Sequence, residues 1–423
     1  MQETQIKICV IGLGYIGLPT SVMFASSGCE VLGVDVNEDV VRALNEGRVL
    51  IEEPYLGAMV EQAVRQGRLR AVTEPEEADA FIIAVPTPIN PDKTADMGYV
   101  RAAAESIVPY VRKGCMVILE STSPPETTAK LIAPIIAKSG LDTGKDLYIA
   151  HSPERVLPGR ILEELVNNNR VVGGLNRESA EMVAWLYKRF VRGEIYITDA
   201  TTAEMCKLME NTFRDVNIAL ANELAMLCED MGVNAWEVIA LSNKHPRVNL
   251  HQPGPGVGGH CIAVDPWFIV EKRPQIANII RLARLTNDSM PARVAARAVS
   301  IMGGAAGKIC AVLGVTYKPN IDDTRESPIM ALIELLSGKG AEVRAYDPHI
   351  AGRRDIPFLA GGLNEAARGA DLMILAVNHK EFDDLDLPAL AALMRSKNLL
   401  DARNSVSREK AGLAGLNYYL LGN

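Results

Sequence analysis

Apolar positions along this chain fall into two patterns. Short runs in which nearly every position is apolar alternate with longer stretches of helical period, and that alternation predicts buried parallel strands linked by crossover helices. The first run is Ile6-Lys7-Ile8-Cys9-Val10-Ile11, followed by a predicted helix from Leu18 to Ser27 with Pro19 in its first turn and Gly28 at its end. Glu30 to Val34 is the next strand and closes on Asp35; Ala80–Val85, Met116–Glu120 and Leu147–Ala150 continue the set. The same order returns near the other end. Lys308–Gly314 is a strand meeting a glycine, a helix follows from about Ile329 to Ser337, and Ala341–Tyr346 is a strand closing on Asp347. Asp371–Val377 echoes Asp79–Val85, so the two ends read as divergent copies of one βαβ fold.

Between them the pattern changes. Thr201 to Met231 is 31 residues without proline or glycine, a predicted helix of roughly 45 Å. Asp199 or Thr201 can cap it and Gly232 ends it. Glu204, Lys207, Asn211 and Arg214 recur at spacings of three and four and form one polar stripe; Met205, Leu208, Met209, Phe213, Val216, Ala219 and Leu220 lie on the opposite side. Asn211 is a poor helix former in a helix interior, and the stripe is narrow, which sets it apart from an ordinary solvated face. Such a helix can join two nucleotide domains or form a dimer seam. Helices are also expected at Asn234–Ser242 and Ile276–Ile301. The expected fold is α/β: two Rossmann-like doubly wound domains joined by a long central helix and a helical dimerisation region, with domains at 1–197, 198–302 and 303–423.

Composition narrows the function. A net charge of −8 argues against nucleic acid as a partner. No apolar run reaches the ~18 residues of a membrane span, and the first residues lack the pattern of a secretory leader. The seven cysteines are odd in number and irregularly spaced, with no Cys-x-x-Cys. That fits a reducing cytoplasm and leaves no zinc or other metal site expected.

The chemistry-bearing residues sit at the element ends. Gly12-Leu13-Gly14-Tyr15-Ile16-Gly17 lies between a strand and a helix, and Asp35 stands 18 residues beyond Gly17. This is a dinucleotide-binding fingerprint in full context, with the acid placed for ribose hydroxyls and against a 2′-phosphate, so NAD is the expected cofactor. Thr87 and Thr122 follow the carboxyl ends of two strands, where ligands sit in open parallel sheets; as an alternative, their hydroxyls bond their own turns. Glu154 and Arg155 follow a third strand, placed for chemistry and anion binding or for a surface ion pair. In the second copy, Lys318 and Arg325 enter where the pyrophosphate glycines stood, which suits a nucleotide diphosphate held by cations. Finally, Pro253-Gly254-Pro255-Gly256-Val257-Gly258-Gly259-His260-Cys261 must be a shaped loop, with Asp265 four residues on. A thiol on such a loop reads either as a nucleophile or as an inert turn cysteine.

Together these segments resemble the UDP-glucose/GDP-mannose dehydrogenase family over nearly the whole chain. The resemblance rests on Gly12–Gly17, Ser152–Val156, Glu204–Asp215, the cysteine loop and Lys318–Pro328. One departure is Val264, where members acting on UDP-glucose often carry lysine; only Asp265 is carried over. The resemblance implies oxidation of a sugar C6 alcohol to an acid in two hydride transfers to NAD+. Cys261 would add to the intermediate aldehyde, and the thioester formed by the second oxidation would be hydrolysed. Lys207 would act as base or electrostatic group, Asn211 would bind the C6 oxygen or a water, and Asp265 and Glu154 would orient water. Tyr15 and Ile16 join the glycines, Asp35, Thr87, Thr122 and Arg325 as cofactor contacts. Arg155, Val156, Arg214, His245, Arg247, Gly258, Tyr317 and Lys318 would hold the UDP-sugar. The family also implies a homodimer or larger assembly, with some contacts from the partner subunit.

Overall fold

The computed structural model describes residues 6–157 and 159–423. The chain divides into two compact units, one formed by 1–210 with 271–274 and the other by 211–270 with 275–423. The first unit is built on eight strands: β1 (Lys7–Ile11), β2 (Glu30–Val34), β3 (Leu69–Val72), β4 (Ala80–Ile83), β5 (Met116–Leu119), β6 (Tyr148–His151), β7 (Arg170–Gly174) and β8 (Ile195–Asp199). Their order is β3-β2-β1-β4-β5-β6-β7-β8. All neighbours are parallel except β6 and β7. The order reverses at β1, which is where a doubly wound sheet opens a crevice at its carboxyl edge. The central strands are buried on both faces, which is why they read as unbroken apolar runs.

The second unit holds a five-stranded parallel sheet in the order β10-β9-β11-β12-β13. Its strands are β9 (Ile309–Leu313), β10 (Glu342–Tyr346), β11 (Leu372–Leu375), β12 (Asn398–Asp401) and β13 (Asn417–Leu420). Each sheet starts with the same step: β2 returns beside β1 and β10 beside β9, and the third strand of the echo, β4 or β11, takes the other side. The two βαβ copies read from the sequence are therefore present, and the architecture is the expected α/β class.

The long helix spans Ala200–Met231. Asp199 caps it, its Oδ1 accepting from the Thr202 amide at 2.9 Å. Glu204 departs from the expected polar stripe. It is 1% exposed, and its carboxylate accepts from the amides of Glu126 and Thr128 and from the Thr128 hydroxyl. A carboxylate on a helix face is thus consumed by a neighbouring turn that needs acceptors. On the side opposite the stripe, Met209, Phe213 and Leu220 are exposed. The side chains buried in their place include Thr212, Asp215 and Asn222.

Candidate active site

In the first unit, the turn after β1 is shaped for a ligand. Gly12 has a φ of +95°, and its amide donates to Val34 O at 2.8 Å. A Cβ on Gly17 would sit 1.8 Å from Gly12 O, so only glycine lets the helix start this close to the strand end. At Gly14 a Cβ would meet nothing within 4 Å, which leaves open space above the turn. The helix Gly17–Ser26 has no side-chain cap and no acid in its first turn, so its positive end suits an anion. Asp35 closes the turn from β2, with Oδ2 accepting from the Leu13 amide at 2.9 Å and Oδ1 from the Asn37 amide at 2.9 Å. Tyr15, within the turn, is exposed. A pyrophosphate fits the glycine cradle and ribose hydroxyls fit the partly exposed Asp35 carboxylate, so the residues present match a dinucleotide.

Thr87 and Thr122 stay partly exposed beyond β4 and β5. The neighbouring serines are used structurally: Ser121 Oγ donates to Val85 O at 2.7 Å, and Ser123 Oγ donates to Ser121 O at 2.9 Å. The first of these bonds ties the two loops together, and the second shapes the turn after β5.

The loop after β6 is pinned from several sides. Glu154 is held by the Arg170 guanidinium and by the Arg155 amide, the latter at 2.7 Å. Arg155 itself pairs with Glu210 on the long helix and donates to Asn169 O. Glu53 accepts from the amides of Gly159 and Ile161, both at 2.7 Å. Val156 and Lys207 are partly exposed. His151 is fully buried, and burial, with Lys207 adding to it, pushes its pKa down to about 3, so the ring is neutral.

In the second unit, the cysteine loop is anchored through a buried chain of amides. The Gly254 amide donates to Asn222 Oδ1 at 2.9 Å, and Asn222 Nδ2 donates to Asn287 Oδ1 at 2.9 Å. Asn287 Nδ2 in turn donates to Asp215 Oδ1 at 2.8 Å, and Asp215 pairs with the buried Arg284. The glycines let the loop lie against the nucleotide-like domain. A Cβ on Gly258 would stand 2.4 Å from Glu326 O, and one on Gly259 2.8 Å from the Tyr317 ring. Cys261 is exposed in the turn that enters the helix Asp265–Lys272, and its carbonyl accepts from the Val264 and Asp265 amides at 3.0 and 2.8 Å. Asp265 is 2% exposed, and Asn211 Nδ2 donates to its Oδ2 at 2.6 Å. Two residues 54 positions apart in sequence, both expected to handle the reacting oxygen or water, are therefore joined directly.

The remaining expected contacts are spread more widely. Lys318 is exposed, and Arg325 is bonded to Asp323, with Nη2 donating to Oδ2 at 2.7 Å. Arg214 is exposed on the long helix. His245 and Arg247 lie on an exposed segment closed by Asn243, whose side chain bonds Leu250 in both directions.

Sequence reasoning missed Arg403, just past β12 at the carboxyl edge of the second sheet. Its Nη1 lies 2.2 Å from where a Gly254 Cβ would be, and burial pushes its pKa down. Asp401 opposes that effect of burial, and the Arg403 Nε donates to Asn378 Oδ1 at 3.3 Å. The signal was present as Asp401-Ala402-Arg403 ending an apolar strand. Also missed were Glu120 and Arg170, because nothing local marks a buried ion pair. His349, His379 and Glu381 gather as closely as the ligands of a metal ion would. However, both ring nitrogens of His379 are engaged, Nδ1 with the Asn320 amide and Nε2 with Asp347.

Comparison with known proteins matches three regions of the chain to one family. Residues 6–191 match the NAD-binding domain of the UDP-glucose/GDP-mannose dehydrogenase family, 201–289 its central domain and 311–408 its UDP-binding domain. A UDP-N-acetyl-D-mannosamine dehydrogenase of Methanocaldococcus jannaschii is 49% identical, covering 99% of this chain and 96% of that protein. An NDP-N-acetyl-D-galactosaminuronic acid dehydrogenase of Ralstonia nicotianae is 46% identical, covering 95% and 97%. Among solved structures, the UDP-N-acetyl-mannosamine dehydrogenase Cap5O of Staphylococcus aureus superposes with a TM-score of 0.90 at 46% identity, covering 99% of both chains. The chain belongs to the UDP-glucose/GDP-mannose dehydrogenase family and is an NAD-dependent oxidoreductase of nucleotide sugars.

Proposed function

We propose that this enzyme oxidises the C6 hydroxyl of UDP-N-acetyl-D-mannosamine to the carboxylate, consuming two NAD+ and one water and releasing two NADH and three protons. The observation that carries the chemistry is the bond from Asn211 to the buried Asp265, four residues past the exposed Cys261. It fixes an amide and a carboxylate at the start of the helix that follows the cysteine turn. Bound NAD+ takes up a hydride in each oxidation, and the remaining steps fall to the chain.

Lys207 stabilises the C6 oxygen and takes its proton in the first oxidation. The aldehyde so formed has no hydroxyl from which a second hydride could leave. The thiolate of Cys261 adds to its carbon, giving a thiohemiacetal that the second oxidation converts to a thioester. Water held by Asp265 and Glu154 then attacks the thioester carbon. The C–S bond breaks, the thiolate is restored and the acid leaves. Asn211 holds the reacting oxygen through the amide group it also uses on Asp265. Gly12, Gly14, Gly17 and Asp35 hold NAD, joined by Thr87 and Thr122. Tyr317, Lys318 and Arg403 receive the nucleotide sugar in the second unit. The exposed row Phe213, Leu220 and Leu227, spaced by seven on the long helix, is the seam of a homodimer.

The test counts NADH per sugar with purified enzyme and UDP-N-acetyl-D-mannosamine. Two per sugar is expected, and one would reduce the enzyme to an ordinary alcohol dehydrogenase. Cys261→Ala should lose at least about 1,000-fold in acid formation while retaining NAD+ binding; wild-type acid yield from that variant rejects the thioester route. Competition with UDP-N-acetylglucosamine and UDP-glucose decides the sugar, and a higher kcat/KM for either overturns the assignment to mannosamine.

A further inference from the structure

The first unit contains a buried charge cluster that the reaction as derived does not use. Arg170, at the start of β7, has a side chain only 4% exposed. Its guanidinium reaches three groups: Glu154, whose side chain is 8% exposed; Glu120 Oε1, at 3.3 Å; and Ser152 Oγ, at 3.0 Å. It also lies over the Tyr187 ring, 4.2 Å from the centroid. Glu120 closes the cluster from the end of β5. Its Oε1 accepts from the Tyr187 hydroxyl at 2.6 Å and its Oε2 from the Thr20 hydroxyl at 3.3 Å. Three neighbouring strands, β5, β6 and β7, are thus tied together by one cation at the ends that face this cluster.

A buried guanidinium is costly unless its donors are used, and ordinary sheet stability needs no ion here. The cluster has a direction: at one end Glu120 is sealed in the core, and at the other Glu154 opens onto the loop. One Glu154 oxygen is held by Arg170 and the other by the Arg155 amide. The carboxylate therefore cannot rotate without breaking a bond to a buried cation. A group that must hold a water for attack benefits from that restraint, because misorientation costs rate directly.

We propose that Arg170 is a positioning residue for Glu154, fixing its carboxylate for the hydrolytic step, and that Glu120, Tyr187 and Ser152 form the buried socket that holds Arg170. This rests on the reading of Glu154 as a group that orients the attacking water. In that step the water oxygen bonds to the thioester carbon, the C–S bond breaks with its electron pair returning to sulfur, and the water proton passes through the Glu154 carboxylate to solvent.

The test is a double-mutant cycle on acid formation. Arg170→Gln and Glu154→Gln should each lower kcat by about 10- to 100-fold while KM for both substrates stays within about threefold. Combining them should cost no more than about threefold beyond Glu154→Gln alone, because a positioning residue has nothing left to position. Multiplied penalties in the double variant would show that Arg170 acts only through the fold and overturn the proposal. If Arg170→Gln does not fold, Arg170→Lys, which keeps the charge but cannot fork to three partners, is carried through the same cycle with the same criteria. Wild-type turnover in the Arg170 variant beside a slow Glu154→Gln sinks this proposal alone. Wild-type turnover in Glu154→Gln removes the reading of Glu154 and the proposal with it.

Discussion

The two sheets place a carboxylate at the same point and put it to different uses. Asp35 follows β2 and Asp347 follows β10. Asp35 accepts from the Leu13 amide at 2.9 Å, and Asp347 accepts from the Val315 amide at 2.7 Å, each just past the first strand of its sheet. Each also accepts from the amide two residues on, Asn37 and His349, at 2.9 Å. The likeness stops there. Asp35 is partly exposed beside the open Gly14, whereas Asp347 is 1% exposed and its Oδ2 takes the Nε2–H of the buried His379 at 2.9 Å. The Asn320 amide donates to His379 Nδ1 at 3.0 Å, which sets the tautomer that donates to Asp347. The same backbone frame thus offers one carboxylate to a ligand and spends the other on its own architecture.

The strongest test of that contrast uses the glycines. Gly17→Ala forces a Cβ to within 1.8 Å of Gly12 O and should weaken NAD+ binding by roughly 100-fold or more, read by calorimetry. The control lies in the second sheet at the glycine just past β9, Gly314, which stands where Gly12 stands in the first and where a Cβ would meet Val377 Cβ at 2.4 Å. Gly314→Ala should lower the melting temperature but leave NAD+ affinity within about twofold. If both variants weakened NAD+ equally, the division of labour between the sheets would be broken.

A gentler pair sharpens the same point. Asp35→Asn should cost about tenfold in NAD+ affinity with little change in stability. Asp347→Asn should do the reverse. Burial pushes the Asp347 carboxyl up, but the His379 bond and the amides of Val315 and His349 outweigh it and hold the group down to about 2. A carboxyl depressed in the folded state stabilises fully above its unfolded pKa near 4, and that stabilisation is lost as pH falls through about 2. The shift corresponds to about 2 kcal/mol. Urea unfolding should therefore show Asp347→Asn less stable than wild type by about that amount at pH 7, with the gap closing toward about pH 2. A gap that persisted there would mean that packing, not ionisation, is what Asp347 supplies.

The fold was legible because it rests on local signals. Unbroken apolar runs marked the central strands, Gly12 to Gly17 marked the turn, and the absence of proline and glycine marked the long helix. The cysteine loop could be read as a loop, yet its seat could not: Gly258 and Gly259 are required by Tyr317, which lies almost 60 residues on. The long helix shows the limit most clearly. Its spacing was read correctly, but Glu204 turned inward because the turn at residues 126–128 needed acceptors, and Phe213 and Leu220 stayed outside. Helical period says which residues share a face, and only the neighbours say which face is buried. Asp347 makes the same case, since the echo of Asp35 was visible and the histidine 32 positions away that claims it was not.

The smallest effect comes from the first sheet's own buried carboxylate and completes the contrast. Burial pushes Glu120 up to about 7, against the pull of Arg170, whose charge it shares with Glu154. Its folded pKa lies above the unfolded value near 4.5, so the folded state binds the extra proton between these limits. Stability supplied by that proton is complete below about pH 4.5 and is lost as pH rises toward about 7, the opposite sense to Asp347. Glu120→Gln keeps an acceptor for Tyr187 and can instead donate its amide to the Thr20 hydroxyl oxygen, but gives up a charge facing Arg170. The net change at pH 7 should therefore stay within about 1 kcal/mol. The informative quantity is the slope: between about pH 5 and 7 the melting temperature of wild type should fall relative to Glu120→Gln, while Asp347→Asn should track wild type over that range. Parallel profiles for wild type and Glu120→Gln would show that Glu120 is ionised throughout, and the first sheet would then hold its buried acid as the second does.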